Sequence, residues 1–404
     1  MSQICVLYSA DHRRHVIIRR QIKTFLAAGF DVAVIDQGEG QKTETSSSYR
    51  HIKINRLEWH LVTKTLWPIV RRVRYQKLDD QFWRFVLWLR AASNVIRLAH
   101  VAFKEGPDCY VAEDLQSAWA AILASRFRRR PVIYNAHELE SEQGYGDTVR
   151  VQRGFLRSLE QKLVPQVDYL VVPNHSRAAV YAKRYGVRNE PVIVLNCPPA
   201  SPVPKSNKLR EALGLPDSVR LVLYHGALIP YRSLDKLVQS AAYFEKDIAL
   251  VIIGEQGSYF REVLAPLCVA EQLQDRVVFL PYISPDRIAS YVASADLGVV
   301  IYENVNLNNY LCAPAKLYEF IMMRVPVAVC DFPELIEFLE EYSVGVTFDP
   351  QDPQSIAQAV NSHFSRSADS LVAVQNTLES ACQRFTWERE SLKWLGILDV
   401  GGDY

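Results

Sequence analysis

The 404-residue chain has little of what marks a stapled, metal-held or membrane-spanning protein. Its seven cysteines (Cys5, Cys109, Cys197, Cys268, Cys312, Cys330 and Cys382) are scattered, with no CxxC pair and an odd total. That excludes a disulfide framework or a zinc site and fits small buried thiols in a reducing compartment. No apolar run approaches the roughly 20 residues that a membrane span needs. The opening Ser2-Gln3-Ile4-Cys5-Val6-Leu7-Tyr8 has no basic-then-apolar leader, so a cytoplasmic location is expected. An excess of one charge is missing too. The formal net charge is +1, where a dedicated nucleic-acid binder would be strongly basic. The first strand–helix turn, Ser9-Ala10-Asp11-His12, lacks the GxGxxG spacing of a dinucleotide site.

What is present is a strand–helix alternation that starts twice. Ile4–Tyr8, the helical spacing of His15–Ala28 and Asp31–Ile35 open a βαβ unit, so a parallel sheet is expected. Asp108–Ala112, Pro131–Asn135 and Asp168–Pro173 continue it, and Val192–Leu195 leads to a Pro- and Ser-rich linker over Pro198–Lys205. The rhythm restarts with the strands Arg220–His225, Ile248–Ile253, Val277–Leu280 and Leu297–Ile301. Chain length and pattern predict an α/β protein of two Rossmann-like domains, 1–198 and 199–383. Residues 384–404, beginning Phe385-Thr386-Trp387-Glu388, are expected to form a helix that packs back on the first domain.

One stretch organises the second half. A polar loop, Asn308-Asn309-Tyr310-Leu311-Cys312-Ala313, runs into Pro314, a residue favoured in the first turn of a helix. The helix start offers unpaired amides and a positive dipole end, which is an anion site. Lys316 lies in its first turn, with Glu319 three residues on. A cation beside an anion site and a carboxylate one turn deeper suit a nucleotide diphosphate; the alternative is a solvated Lys–Glu pair. Arg232 ends the first strand–helix turn of the same domain, after Gly226, and Gly254 closes the next strand. Two cations on one sheet edge favour the diphosphate. In the first half, His137 follows the strand end Tyr134-Asn135, where open α/β sheets bind ligands. It reads as a hydrogen-bond partner or acid/base facing the crevice, or else as a structural histidine.

His51–Lys104 breaks the pattern with eleven Lys or Arg against three acids and four of the seven tryptophans. Trp59, Trp67, Arg71, Arg72 and Arg74 lie in it, within a helical insert over about 56–100. Basic residues interleaved with aromatics suit an anionic membrane surface. A helical pair packed on the sheet is the alternative, and nucleic acid the weakest of the three.

Taken together, Tyr134-Asn135-Ala136-His137-Glu138, Asn196-Cys197-Pro198, Gly226-Ala227-Leu228-Ile229-Pro230-Tyr231-Arg232, Ala313-Pro314-Ala315-Lys316-Leu317-Tyr318-Glu319-Phe320 with Pro326-Val327, and Phe385-Thr386-Trp387-Glu388 resemble the GT-B glycosyltransferases of family 4. The resemblance covers nearly the whole chain. It implies two Rossmann-like domains facing a cleft, a nucleotide-sugar donor on the C-terminal domain and an acceptor on the N-terminal one. It also implies retention of anomeric configuration without a metal or other cofactor. Carried over by position, His137, Arg232 and Lys316 are the catalytic candidates. Gly226, Arg232, Gly254, Ala313, Lys316, Leu317 and Glu319 bind the donor, with Glu319 holding its ribose. Two positions depart from the family pattern: Leu311 stands where a first acid is usual, and Ala227 where a residue contacting phosphate is usual. The expected function is sugar transfer from a nucleotide-sugar to a glycan or lipid-linked acceptor in bacterial cell-surface polysaccharide synthesis, on the inner face of the membrane. A sugar-nucleotide epimerase or hydrolase of the same fold, or a catalytically silent membrane scaffold, are the competing readings.

Overall fold

The computed structural model describes residues 2–37, 44–54, 76–144 and 148–400. They form two compact units, one of Met1–Leu195 with Ser391–Tyr404, the other of Asn196–Glu390.

The first unit is built on an eight-stranded sheet. Its strands are β1 (Gln3–Tyr8), β2 (Asp31–Gln37), β3 (Glu44–Thr45), β4 (Tyr49–Ile54), β5 (Cys109–Ala112), β6 (Val132–Asn135), β7 (Tyr169–Val172) and β8 (Val192–Ile193). Their order is β3-β4-β2-β1-β5-β6-β7-β8, parallel except for the short edge pair β3–β4. Ile4–Leu7, Cys109–Ala112 and Val132–Asn135 are buried at every position. Continuous apolar strands of this kind are stable only with helices on both faces of the sheet. Helix α1 (Val16–Ala27) supplies Ile18, Ile22 and Phe25 to the core, and α2 (Gln76–Glu105) supplies Val95, Leu98 and Ala102. Helix α3 (Leu115–Ser125) starts at a capping box in which Asp114 and Ser117 satisfy each other's backbone amides.

Helix α2 is the crossover between β4 and β5 and so carries the last part of the basic-aromatic stretch. Trp59, Trp67, Arg71, Arg72 and Arg74, proposed above for the membrane, lie outside the described residues. Among the described residues no helix is long and apolar enough to cross a membrane.

The second unit has six parallel strands: β9 (Arg220–His225), β10 (Ile248–Ile253), β11 (Val277–Leu280), β12 (Leu297–Val300), β13 (Val327–Cys330) and β14 (Gly345–Phe348). Their order is β11-β10-β9-β12-β13-β14. Helix α4 (Leu234–Ser240) follows β9, and α5 (Ala315–Met322) precedes β13.

In both sheets the chain reverses direction beside its first strand. It does so between β1 and β5 in the first unit, and between β9 and β12 in the second. Such switch points open a crevice at the carboxyl ends of the strands, where open α/β sheets take ligands. His15 follows β1 and Glu113 follows β5; Gly226 follows β9 and Tyr302 follows β12.

Three boundaries differ from the sequence reading. The units part at Leu195/Asn196 rather than at 198/199. Asn196 Nδ2 donates to the Ala313 carbonyl at 2.9 Å, and Cys197 is fully buried, so these residues already belong to the second core. The last helix, α6 (Trp387–Val400), begins on the second unit, where the Trp387 amide donates to Pro198 at 2.8 Å. From Ser391 onward it belongs to the first, and buried Trp394 meets Phe25 edge-on at 5.8 Å. Finally, Pro314 is the N-cap of α5 rather than part of its first turn, because its ψ of 117° is extended. The loop before it holds one helical turn, Leu307–Tyr310, nucleated by the Asn306 side chain accepting from the Asn309 amide.

Candidate functional site

The cations of the second unit are brought together by a strained turn. Tyr231 and Ser233 take positive φ (66° and 47°), a conformation that costs a side-chain-bearing residue about 1 kcal/mol or more. Three contacts hold it. The Tyr231 carbonyl accepts from the Glu303 amide (3.3 Å) and from Asn309 Nδ2 (3.4 Å), and Gln351 donates to Ser233 Oγ at 2.9 Å. Between the two strained residues, the Arg232 guanidinium lies over the Tyr302 ring, 4.1 Å from its centre. Lys316 reaches the same ring from α5, with Nζ 5.7 Å from its centre and 4.2 Å from that of Tyr224. Aromatic faces attract a cation through the ring quadrupole.

Glycine makes the room. Gly226 has φ of +140°, and a Cβ there would stand 3.1 Å from Lys316 Nζ. A Cβ on Gly254 would overlap the Gly226 carbonyl oxygen. The two strand ends therefore approach as closely as only glycine permits, and backbone lines the floor beside the ammonium. Helix α5, which carries Lys316, opens without a side-chain cap on Pro314, and a helix start of this kind favours an anion.

The electrostatics follow from that crowding. Burial, and then the Arg232 charge, pull the Lys316 ammonium down to about 7, with Glu319 pulling the other way. Glu319 lies 3.4 Å from the Nε2 of buried His225 and keeps part of its carboxylate exposed. Burial and Lys316 hold His225 down to about 3, so that ring is neutral. Of the donor-binding residues named from sequence, Gly226, Arg232, Gly254, Lys316 and Glu319 share this sheet edge. The Ala313 carbonyl is taken by Asn196. Leu317 buries its side chain, and its amide donates to the Pro314 carbonyl at 3.1 Å. Tyr224 and Tyr302 escaped the sequence reading. No local signal in the sequence separates them from tyrosines that only pack.

His137 stands in the first unit at the carboxyl end of β6. Its carbonyl accepts from Arg177, whose guanidinium also pairs with Glu138 at 3.0 Å. Its ring Nε2 lies 2.8 Å from Glu113 Oε2, and Asn135 Nδ2 donates to the same oxygen at 2.8 Å. His15, the N-cap of α1, places its ring 4.8 Å from that of His137. Burial, and then His137, hold His15 down to about 3. Glu113 and His15 were also missed, although both follow strands at the edge that drew attention to His137.

One further cluster could hold a metal ion. His12, Asp36 and His51 are buried, with their ligand atoms within 4.8 Å of one another. They already hydrogen-bond to one another: Asp36 accepts from His12 Nδ1 (2.6 Å), His51 Nε2 (2.9 Å) and the His12 amide (3.0 Å). Burial raises the Asp36 carboxyl, and the two histidines outweigh it and hold it below the usual carboxylate range. The carboxylate is satisfied by its neighbours as it stands.

Residues 15–198 match the family described as Glycosyltransferase Family 4, and residues 205–377 match Glycosyl transferases group 1. The chain belongs to the family 4 glycosyltransferases, and its fold is GT-B. This glycosyltransferase is 24% identical to an uncharacterized glycosyltransferase of Methanocaldococcus jannaschii over 194 residues, 47% of each chain. It is 24% identical to a D-inositol 3-phosphate glycosyltransferase of Xylanimonas cellulosilytica over 251 residues, 59% of this chain and 58% of the other. The matches thus span about half the length of these relatives. Sucrose-phosphate synthase from Thermosynechococcus elongatus is similar with a TM-score of 0.72 at 17% identity, covering 99% of this glycosyltransferase and 98% of that chain. HepE from Anabaena, in complex with UDP and glucose, gives 0.71 at 16%, covering 99% and 100%. At such identities the likeness is one of fold.

Proposed function

We propose that this glycosyltransferase moves a sugar from a nucleoside diphosphate to a glycan or lipid-linked acceptor, with retention of configuration and without a metal. The observation that carries the reading is the pairing of Arg232 and Lys316 over Tyr302, beside the Gly226 backbone and the start of α5. Negative charge grows on the diphosphate as its bond to the sugar breaks. Two cations and a helix end placed there stabilise the transition state more than the ground state. They perform the neutralisation that a divalent ion performs elsewhere, which supports a metal-independent reaction. The similarity to HepE, whose structure holds UDP, favours a nucleotide donor. Glu319, one turn beyond Lys316, is the ribose partner in this reading.

The test is a panel of UDP-, GDP- and ADP-sugars with a membrane lipid extract as acceptor. One donor should give a glycosylated lipid or glycan whose new linkage, read by NMR, keeps the donor's anomeric configuration. Release of free sugar alone would make the protein a hydrolase, and inversion would remove the retaining mechanism. Absence of both product and nucleotide binding would leave a silent scaffold.

The acceptor is expected at a membrane's cytoplasmic face, in the synthesis of a bacterial surface polysaccharide. Support comes from the eleven basic residues of 51–104 and from apolar side chains that the first unit exposes. Ile96 on α2 is 62% exposed, and Phe127 is 83% exposed beside exposed Arg126, Arg128 and Arg129. Each basic residue near anionic lipid contributes about 1 kcal/mol. Co-sedimentation with vesicles containing phosphatidylglycerol should be strong at low salt and fade as ionic strength rises. Changing Arg71, Arg72 and Arg74 together to Glu should weaken it several-fold. Equal binding to neutral vesicles, or none to anionic ones, removes the membrane from the proposal.

A further inference from the structure

We propose that Glu113 is a positioning residue: it fixes His137 as the Nε2–H tautomer, leaving Nδ1 as the atom that accepts from a sugar hydroxyl. The inference rests on the transferase reading above and adds to it the atom of His137 that meets the substrate.

The hydrogen-bond network makes the assignment. Glu113 is 2% exposed, and its Oε2 lies 2.8 Å from His137 Nε2. A lone pair on Nε2 would face a carboxylate lone pair at that distance, whereas an N–H donates to it. Asn135 Nδ2 also lies 3.2 Å from His137 Nε2, but its two hydrogens have better acceptors. They go to Glu113 Oε2 at 2.8 Å and to Gln21 Oε1 at 3.3 Å. In the ring's one-proton form that proton therefore sits on Nε2. Nδ1 is left with its lone pair on a side chain that remains 14% exposed.

The neighbours keep that state. His15 uses Nδ1 to accept from the Ile18 amide at 3.5 Å, so its own proton is on Nε2. Burial is the main cause that holds its ring neutral, so it adds no positive charge beside its partner. Next, Glu113 Oε1 is buried and makes no hydrogen bond among the described residues, and the same holds for Gln21 Nε2. A buried carboxylate with one oxygen unmatched is costly to fold around. Arrangements that break a local rule in this way are kept for function more often than for stability. The open carboxylate oxygen strengthens the hold of its partner oxygen on the Nε2 proton, and so makes Nδ1 the better acceptor.

The step itself is small and balanced. A hydroxyl of the sugar presented to His137 donates its hydrogen to Nδ1, and no bond other than that hydrogen bond forms or breaks at the ring. Glu113 acts in this assignment only through His137.

The variant is Glu113→Gln, which keeps the shape but offers an amide that can donate to Nε2, turning the ring to its Nδ1–H form. Long-range ¹⁵N–¹H NMR of histidine-labelled protein, with the His137 signal assigned by its loss in His137→Asn, reads the tautomer directly. The wild type should show Nε2–H and Glu113→Gln a shift toward Nδ1–H. Turnover should fall about tenfold, the loss of one hydrogen bond, with donor KM unchanged and the melting temperature equal or higher. Combined with His137→Asn, the Glu113→Gln substitution should cost nothing further, because both act through one ring. A wild-type ring in the Nδ1–H form overturns the proposal. So does a Glu113→Gln protein that melts lower yet turns over normally, which would make Glu113 structural. If no sugar nucleotide supports turnover, the transferase reading fails, while the NMR result still decides the tautomer.

Discussion

Replacing Arg232 or Lys316 with alanine is expected to weaken nucleotide-diphosphate binding by about tenfold to a hundredfold each, from roughly 1.5–3 kcal/mol per charge-assisted contact. Turnover should fall further, by about 10²–10³, because the diphosphate carries more charge in the transition state than in the ground state. The two losses should not add. Arg232 and Lys316 share the Tyr302 ring, and the Arg232 charge helps to pull the Lys316 ammonium down. Removing either cation relieves the other, so the double variant should lose less than the product of the single losses. Tyr302→Phe is the control: the ring and its attraction for both cations remain, and affinity should stay within a few-fold. Glu319→Gln should weaken binding of a nucleotide but not of inorganic pyrophosphate, since its partner is ribose. Calorimetric titration decides all of these. Unchanged affinity in both alanine variants would remove the diphosphate from this sheet edge.

The placement of these residues shows what a sequence can and cannot reveal. Strands such as Ile248–Ile253 were legible to the residue, because an apolar run closed by Gly254-Glu255-Gln256-Gly257 has no other stable use in a parallel sheet. The glycines, the proline and the lysine that meet at this sheet edge were legible because their spacing expresses backbone geometry, which is local. Tyr224 and Tyr302 were not. Nothing local tells a tyrosine that packs from one that carries an ammonium, and their meeting depends on β9 and β12 becoming neighbours. Glu113 was hidden for the same reason. Its significance is the 2.8 Å contact with a histidine 24 residues on, made by the pairing of β5 with β6. The ends of the domains were misplaced because Pro198–Lys205 looks like a linker by composition. Burial of Cys197 and the Trp387–Pro198 hydrogen bond assign its start to a core.

Nucleotide binding should also be proton-linked through Lys316. In the free protein, burial and Arg232 lower its ammonium to about 7, so at pH 8 most molecules hold the neutral amine. A bound diphosphate places negative charge beside it and raises that value, since an opposite charge favours the charged form. Binding between the two values must therefore take up a proton, and affinity must fall as pH rises through that window. The slope approaches about tenfold per pH unit above 7, until the raised value of the bound state is passed. The ligand does not confuse this range, because a phosphate monoester has its second ionisation near 6. Titration with the preferred nucleoside diphosphate at pH 7, 8 and 9, in buffers of differing ionisation enthalpy, measures both the affinity and the proton taken up. Lys316→Arg should keep most of the affinity and lose the slope, because a guanidinium stays charged throughout. Lys316→Ala should lose both. A wild-type affinity that is flat from pH 7 to 9 would mean that the ammonium of Lys316 is not what the diphosphate meets.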